Sequence, residues 1–450
     1  MITSNINFKQ LEDRIDAEYY KPEYLEVFNV LGKTKETLQS ISQIITKGET
    51  PLWRGNVYVS EGIPFLRVVN FVNEELDLSN IVYIPEFVHE RMKRSQLKPD
   101  DVLFSMAGRI GTAVIVPQNL EIANINQAVA KIRLKENVIN KYYLAVFLNS
   151  KFGHLQSLRK ASGGVQNNIN FEDIKSIKIF LPPQSFQLQI EKMVKEAKGK
   201  RKLAEEKYKE AEEVLNEELG IENLDLFTQK TFETKFSEIN RFDPEYFQPK
   251  YKKVQDAINK IENKPLKDYI TNYNCGFAFP TEFYLKQGIP LLRIKNIKKL
   301  EIDFEGVELL PDLSEYQEFV AKLGDILISM SGTVGLSALI PDNIQKAFVN
   351  QRITAITTIG IDKLYLCLYL NSVAGNMSIT RDTTGGVQKN ITYQDIISTP
   401  IPILSKPAQQ KISKLIQESF CFRKESKKLI NDAKRKVEEM IKNKNGKETI

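Results

Sequence analysis

The 450-residue chain, 42% hydrophobic and 27% charged, has the composition of an ordinary soluble protein with room for two or three domains. No apolar run approaches the roughly 20 residues needed to span a bilayer, and the opening MITSNINFKQ lacks a signal-peptide pattern, so no membrane association and a cytoplasmic location are expected. Three scattered cysteines (Cys275, Cys367, Cys421) and two histidines (His89, His154) disfavour a disulfide framework, a metal site and histidine-based catalysis. The net charge of +6 is uneven: from Lys406 onward 13 Lys/Arg face 6 Asp/Glu, a surplus of 7, so everything before nets 6 − 7 = −1. Nucleic-acid binding would therefore rest on local basic patches rather than a bulk field.

In chain order, a short helix is predicted near residues 20–32. Segments with buried or alternating apolar patterning follow: IPFLRVV, DVLFSMA, TAVIVP and AVAKIRL. A helix comes next near Asn140–Ser150, then a Gly-Gly turn at Gly163-Gly164. After it stands a short helix whose start carries a capping pattern, Asn170 with Asp173 three residues on. A brief strand, IKIFLPP, leads into a long charged helix, Gln184–Leu219, built almost entirely of strong helix formers.

The whole plan then repeats. Arg14–Tyr24 answers to Arg241–Tyr251, GIPFLRVVN (Gly62–Asn70) to GIPLLRIKN (Gly288–Asn296), and DVLFSMAGRIGTAVIVPQN (Asp101–Asn119) to DILISMSGTVGLSALIPDN (Asp325–Asn343). Asn126-Gln127 matches Asn350-Gln351, Leu148–Ser150 matches Leu370–Ser372, and GGVQNNINFEDI (Gly163–Ile174) matches GGVQKNITYQDI (Gly385–Ile396), with Thr392 and Asp395 as the second capping pair. The order is preserved and the offset drifts only from 227 to 222, which is a tandem duplication. Lys47–Ser60 and Asn272–Lys286 share a slot with little in common, as do Phe71–Lys98 and Ile297–Lys322. A common frame with divergent loops suits two modules performing one kind of recognition on two targets.

Each copy closes on a helix with a 3.5-residue seam. In the first the seam runs Ile190, Val194, Ala197, Arg201, Ala204, Tyr208, Ala211 and Leu215. In the second it runs Ile412, Ile416, Ser419, Arg423, Ser426, Ile430, Ala433 and Val437. Small seam residues permit close approach. Antiparallel pairing would place the two copies at opposite ends, related by a pseudo-two-fold axis. Some 36 residues at 1.5 Å make a rod of roughly 50 Å, the length of at most ~15 base pairs.

No NPPY-type tetrapeptide, phosphate-binding GxxxxGK[ST] loop or GxGxxG fingerprint is present, and neither histidine sits in a pattern of nucleophilic catalysis; no catalytic residue is assigned. The glycines at Ser105–Gly108 and Gly163-Gly164 read either as tight turns or as phosphate cradles. Arg67/Arg293, Asn70/Asn296, Gln166/Gln388 and Asn168/Asn390 recur in both copies, and Arg, Asn and Gln are the side chains that pair with guanine and adenine edges. Arg67 reads equally as a salt bridge at the core edge. In the divergent slots Lys47, Trp53, Arg54, Arg91, Lys93, Arg94, Lys286, Lys295, Lys298 and Lys299 are candidates, each alone being an ordinary surface charge and the set becoming meaningful if it faces one groove.

The duplicated plan, the [ST]GG-x-Q-x-N-I turn (Ser162–Ile169 and Thr384–Ile391), the Pro-bearing strand after it and the Gln-rich helix start resemble the specificity (S) subunits of type I restriction-modification systems. The resemblance spans essentially the whole chain; its motifs are short, and their order and duplication make it specific. It implies an α+β (mixed) fold with target-recognition domains at 1–182 and 223–404. These are joined by spacer helices at 183–222 and 405–450 that form an antiparallel coiled coil and act as a ruler. It further implies double-stranded DNA as ligand and methyltransferase (M) subunits, two of them, and restriction (R) subunits as partners. The chain itself would hold no cofactor, since S-adenosylmethionine, Mg and ATP belong to those partners. The Glu-Gln pair usual at the helix start reads Gln187-Leu188-Gln189 and Gln409-Gln410 here, a departure from the family pattern. Two alternatives stand beside this reading: a scaffold binding two partner proteins through its coiled coil, and a nuclease or methyltransferase with an unrecognised active site.

Overall fold

The computed structural model describes residues 14–51, 58–161, 168–239, 242–381 and 390–446, with Ile6 and Leu11. The chain divides into two compact units, one formed by 1–201 with 423–450, the other by 202–422.

The first unit is mixed helix and sheet. Helices α1 (Pro22–Leu31) and α2 (Leu38–Ile41) precede β1 (Ser42–Lys47), β2 (Ile63–Leu66), the hairpin β3 (Phe71–Val72) and β4 (Glu75–Leu76), and β5 (Val82–Ile84). Helix α3 (Glu86–Arg91) is followed by β6 (Val102–Ser105), β7 (Ala113–Ile115), β8 (Asn124–Ile125) and β9 (Val129–Leu134). Then come α4 (Lys141–Asn149), α5 (Lys151–Lys160), α6 (Phe171–Lys175) and the 36-residue α7 (Gln184–Leu219). The main sheet is antiparallel with order β1-β9-β6-β7; a smaller one has order β5-β2-β8, with β2 and β8 parallel.

Both faces of the main sheet are buried, which is why its strands read as apolar runs rather than as alternations. Val102 and Phe104 of β6 pack on the helical side, with Tyr143, Phe147 and Ile174, while Leu103 packs on the other side, with Leu66 and Ile125. The helical core also takes in Ile190 and Val194 of α7 and Ala433 and Val437 of the C-terminal helix, so those helix segments are part of the unit's own core.

The second unit repeats the scheme with α8 (Pro249–Ile258), β10 (Asn263–Pro265), β11 (Ile270–Cys275), β12 (Ile289–Leu292), β13 (Glu308–Leu310), β14 (Val320–Lys322), β15 (Ile326–Ser329), β16 (Ser337–Leu339), β17 (Lys346–Val349) and β18 (Ile353–Thr358). Helices α9 (Lys363–Asn371), α10 (Val373–Thr380) and α11 (Tyr393–Ile397), strand β19 (Pro400–Pro402) and the 41-residue α12 (Lys406–Gly446) complete it. Its sheets run β11-β18-β15-β16 and β13-β12-β17-β14. Ala211 and Leu215 of α7 and Ile412 and Ile416 of α12 join this unit's core.

Local signals explain the element ends. Proline opens α1 and α8 at positions where its missing N–H costs nothing. Asn170 caps α6 by accepting the N–H of Asp173 at 2.8 Å, and Thr392 caps α11 by accepting that of Asp395 at 3.2 Å, as their spacing predicts. The strand expected at IKIFLPP is instead a single bridge, Thr37 to Lys178, whereas its counterpart forms the short β10–β19 pair. Prolines at 182 and 183 in one copy, and at 400 and 402 in the other, withhold ladder donors and keep this pairing minimal.

The two long helices run antiparallel where they meet within each unit. In the first unit the Ser426 hydroxyl donates to the Ala197 carbonyl at 2.8 Å and Lys200 pairs with Glu425 at 2.7 Å. In the second, Ser419 donates to the Ala204 carbonyl at 2.8 Å and Lys207 lies 3.7 Å from Glu418. Of the seam residues, Tyr208 and Ile430 are half-buried and Ile190, Val194, Ala197, Ala204, Ala211, Leu215, Ile412, Ile416, Ala433 and Val437 are buried.

Candidate nucleic-acid interface

Two turns and a bridging segment that the duplication preserves meet in each unit. The first follows β2, where a 3₁₀ turn over Val68–Asn70 is braced from inside by Asn70. The Asn70 Oδ1 accepts the backbone N–H of Arg67 at 2.9 Å, and its Nδ2 donates to the carbonyls of Asp77 at 3.3 Å and Asn80 at 3.1 Å. Asn70 is only 2% exposed, so its amide serves the loop, while Val69 at the tip is 68% exposed. Asn296 repeats this in the second unit, accepting from Arg293 N–H at 3.0 Å and donating to the Asp303 carbonyl at 2.9 Å.

The second turn joins β6 to β7. Gly108 takes a positive φ of 69° there and its missing Cβ would sit 3.7 Å from the Val68 side chain, so this turn packs directly on the first. The bridging segment begins at Asn168, which pairs with Ala107 while the N–H of Ile169 bonds the Met106 carbonyl at 3.0 Å. In the second unit Gly332 meets Ile294, Asn390 bridges to Ser331, and Ile391 N–H bonds the Met330 carbonyl at 3.0 Å. Asn168 and Asn390 are exposed on this shared edge. Gln166 and Gln388, and likewise Trp53 and Arg54, lie outside the described residues.

The divergent slots are built differently in the two units. In the first, Arg91 ends α3 and Lys93 and Arg94 begin a 3₁₀ turn, all three exposed. That turn is pinned from below by Lys131 of β9, a 4% exposed lysine whose Nζ donates to the carbonyls of Arg94 at 2.9 Å and Gln96 at 2.7 Å. Burial holds the Lys131 pKa below the usual lysine range, with Asp101 pulling the other way. The Thr46 hydroxyl also donates to the Arg94 carbonyl, at 3.0 Å, which brings exposed Lys47 at the end of β1 beside the basic turn.

In the second unit Ala355 stands where the first has Lys131, since β9 and β18 share register against β6 and β15. The slot is filled by aromatics: Phe277 stacks on Phe319 at 5.1 Å and Phe279 meets Tyr316 at 5.5 Å. Arginine, lysine and amide counting passes over this cluster, although FAFPTEFY is legible at 277–284. Lys286, Lys298 and Lys299 are exposed, the last two on the tip of the turn closed by the Ile297–Ile302 bridge. The corresponding hairpin of the first unit is tied to its helices by Glu75 to Arg201 at 2.9 Å and Glu74 to Lys434 at 2.7 Å.

The recurring arginines differ in surroundings. Arg293 lies 3.1 Å from Glu308 Oε1, stacks over the Tyr284 ring at 5.2 Å and bonds its hydroxyl; Lys295 shares the same carboxylate at 3.4 Å. Arg67 has no ion pair or hydrogen bond through its side chain among the described residues, and its Nε is buried without a partner.

Among the described residues no three His, Cys, Asp or Glu side chains are grouped to hold a metal, and no helix is long and apolar enough to cross a membrane.

The family model for the type I restriction modification DNA specificity domain matches residues 26–213 and 258–432, once over each copy. The chain is 24% identical over 395 residues to a putative type I restriction enzyme MjaX specificity subunit of Methanocaldococcus jannaschii, covering 84% of this chain and 86% of that one. It is 26% identical over 162 residues to the type I restriction enzyme EcoBI specificity subunit of Escherichia coli, a match spanning 35% of this chain and only about a third (34%) of that relative's length. Among solved structures, it is similar to the S subunit of a type I restriction-modification system from M. genitalium (12% identity, TM-score 0.43, 90% of this chain and 94% of that one). The HsdS subunit from Thermoanaerobacter tengcongensis matches at 15% identity and a TM-score of 0.30, over 91% of this chain and 95% of that one.

Proposed function

The chain belongs to the type I restriction modification DNA specificity family, and from that membership we propose that it reads a split DNA target, one half with each unit, and directs partner subunits to it. The observation that carries the reading is the repeated frame of two turns and the Asn168 or Asn390 bridge. Each unit builds the same frame from the Arg67–Asn70, Met106–Gly111 and Asn168 segments or their counterparts, then surrounds it with unlike side chains, basic in one unit and aromatic in the other. A conserved frame with exchanged loops is what two readers of different sequences require, because phosphate contacts position a protein and base contacts specify its site.

In this reading Lys47, Arg91, Lys93 and Arg94 face the DNA half read by the first unit, and Lys286 with the 276–284 loop the half read by the second. Asn168 and Asn390 stand on the shared edge, and the length of the helix pair sets the gap between half-sites. Adenine methylation and cleavage are then work of the partner methyltransferase and restriction subunits, which supply S-adenosylmethionine, Mg and ATP, and this chain is their non-catalytic member.

Mapping N6-methyladenine across the genome in cells with and without this chain tests the proposal. Loss of one motif of the form half-site, fixed gap, half-site is the expected result. An unchanged pattern in cells whose partner methyltransferase is active would overturn it in favour of a scaffold role.

A further inference from the structure

The duplication supplies an internal control for Arg67, whose counterpart in the second copy is Arg293. Gly62-Ile63-Pro64-Phe65 and Gly288-Ile289-Pro290-Leu291 place β2 and β12 in the same register with their neighbours, Phe65 opposite Val82 and Leu291 opposite Glu308. Glu308, the carboxylate that holds Arg293, therefore has a valine at its position in the first unit. The second partner is missing too. Tyr284, which lies under Arg293, corresponds to Tyr58, whose ring turns instead to Phe65 at 5.9 Å. At the tip of the turn, half-exposed Lys295 shares Glu308, while the matching Val69 is apolar and exposed.

A guanidinium in an ion pair has its charge and part of its donor fork occupied. One without a pair retains a full charge and leaves its terminal amino groups, which unlike Nε are not buried, to an outside bidentate acceptor. We propose that Arg67 is a DNA-contacting, specificity-determining residue of the first unit, and that Arg293 is a strut that braces β12 against β13. The inference rests on the proposed DNA reading and deepens it. The acceptor chemistry is a planar pair of oxygen or nitrogen atoms, offered by a guanine edge or by a phosphate, and Val69 beside it suits the methyl of a neighbouring thymine.

The test uses the full chain assembled with its methyltransferase. Arg67→Gln removes the fork, and Val82→Glu places in the first unit the carboxylate that the second already carries. Both variants are expected to weaken binding to the mapped target about 10-fold or more while unfolding within a few degrees of wild type. Combined, they leave an unpaired carboxylate where the guanidinium stood, a change of two charges, so the double variant should bind more weakly than either alone. Arg293→Gln is expected to lower thermal stability and to leave affinity within about two-fold. A guanine contact shows as one degenerate position in the first unit's half-site when the Arg67→Gln methylome is mapped. A phosphate contact shows as uniform weakening, with a salt dependence shallower by about one ion. Target affinity unchanged in both Arg67→Gln and Val82→Glu overturns the inference, and if Val82→Glu does not fold, Arg67→Gln alone decides. A wild-type complex that marks no split motif would instead overturn the functional reading beneath it.

Discussion

Ser426 donates its hydroxyl to the backbone carbonyl of Ala197 at 2.8 Å, an approach that only a small side chain facing another small side chain allows. Ser419 and Ala204 repeat it in the second unit at the same distance. The hydroxyls also occupy carbonyl lone pairs on the facing helix. Leucine at 426 or 419 would fit the helix by propensity and the seam by hydrophobicity, but not the space. Each is expected to destabilise its unit by about 1–3 kcal/mol through overpacking, whereas alanine should cost no more than about 1 kcal/mol. Urea unfolding of the four variants decides it; leucine tolerated as well as alanine would mean that the helices do not need this separation.

Asn70 and Asn296 are expected to matter for stability before they matter for DNA. Each is 2% exposed and binds both sides of its own turn. Alanine leaves the Arg67 or Arg293 N–H and the loop carbonyls unpaired, a loss of about 1–3 kcal/mol. Asn70→Asp should be at least as damaging despite identical shape, because a carboxylate would face the Asp77 and Asn80 carbonyls that now receive N–H donors. Thermal unfolding of Asn70→Ala and Asn70→Asp separates this brace from a base-reading amide, for which the Asn70→Asp protein would fold normally and only binding would suffer.

Much of this is legible in the sequence. Motif order revealed two copies, apolar runs marked the strands of a sheet buried on both faces, and Asn170 and Thr392 announced their helices. What a side chain at a recurring position does was not legible, because its partner comes from elsewhere. Arg67 and Arg293 look identical in the repeat, and their difference lies 15 residues further on, at Val82 or Glu308, inside segments that share almost nothing. Asn70 has the chemistry of an adenine reader, yet the turn folds over it. Lys131 sits within AVAKIRL as one polar residue in an apolar strand, and no local pattern says that it holds the backbone of a turn 35–37 residues earlier.

Asp101 and Asp325 make a second comparison between the copies. Both accept the N–H three residues before them, from Lys98 and from Lys322, each at 2.8 Å. Asp101 also takes a two-pronged bond from Arg133, with both N–O distances 2.7 Å, where Asp325 takes the Thr357 hydroxyl at 2.7 Å. The Asp101 carboxylate is 1% exposed, so Arg133→Leu strands a buried charge. About 3 kcal/mol is expected to be lost, against about 1 kcal/mol for Thr357→Val, where a neutral hydroxyl is removed. Denaturant titration of the two variants measures the difference, and equal losses would show that solvent already screens the Arg133 pair.

Lys131 ties a pH dependence to the basic turn. Its folded pKa lies below the ordinary 10.5 because burial disfavours the charged form. Between that depressed value and 10.5 the unfolded chain binds more protons than the folded one, so stability attributable to Lys131 rises with pH across the window. That contribution is complete above 10.5 and is lost as pH falls through the folded pKa, leaving the full desolvation penalty at neutral pH. Lys131→Met keeps the volume and removes the titration. Wild type should therefore gain on the variant as pH rises through the window, by no more than about 1.4 kcal/mol per pH unit. The variant should also free the carbonyls of Arg94 and Gln96, speed amide exchange over residues 93–97 and weaken binding of the first unit's half-site, because Arg91, Lys93 and Arg94 would lose their fixed support. Ala355 at the equivalent position shows that the sheet itself closes without a lysine, so the fold should survive the change. Parallel stability curves for the two proteins, with unchanged exchange at 93–97, would show that the lysine neither titrates within the fold nor holds the turn.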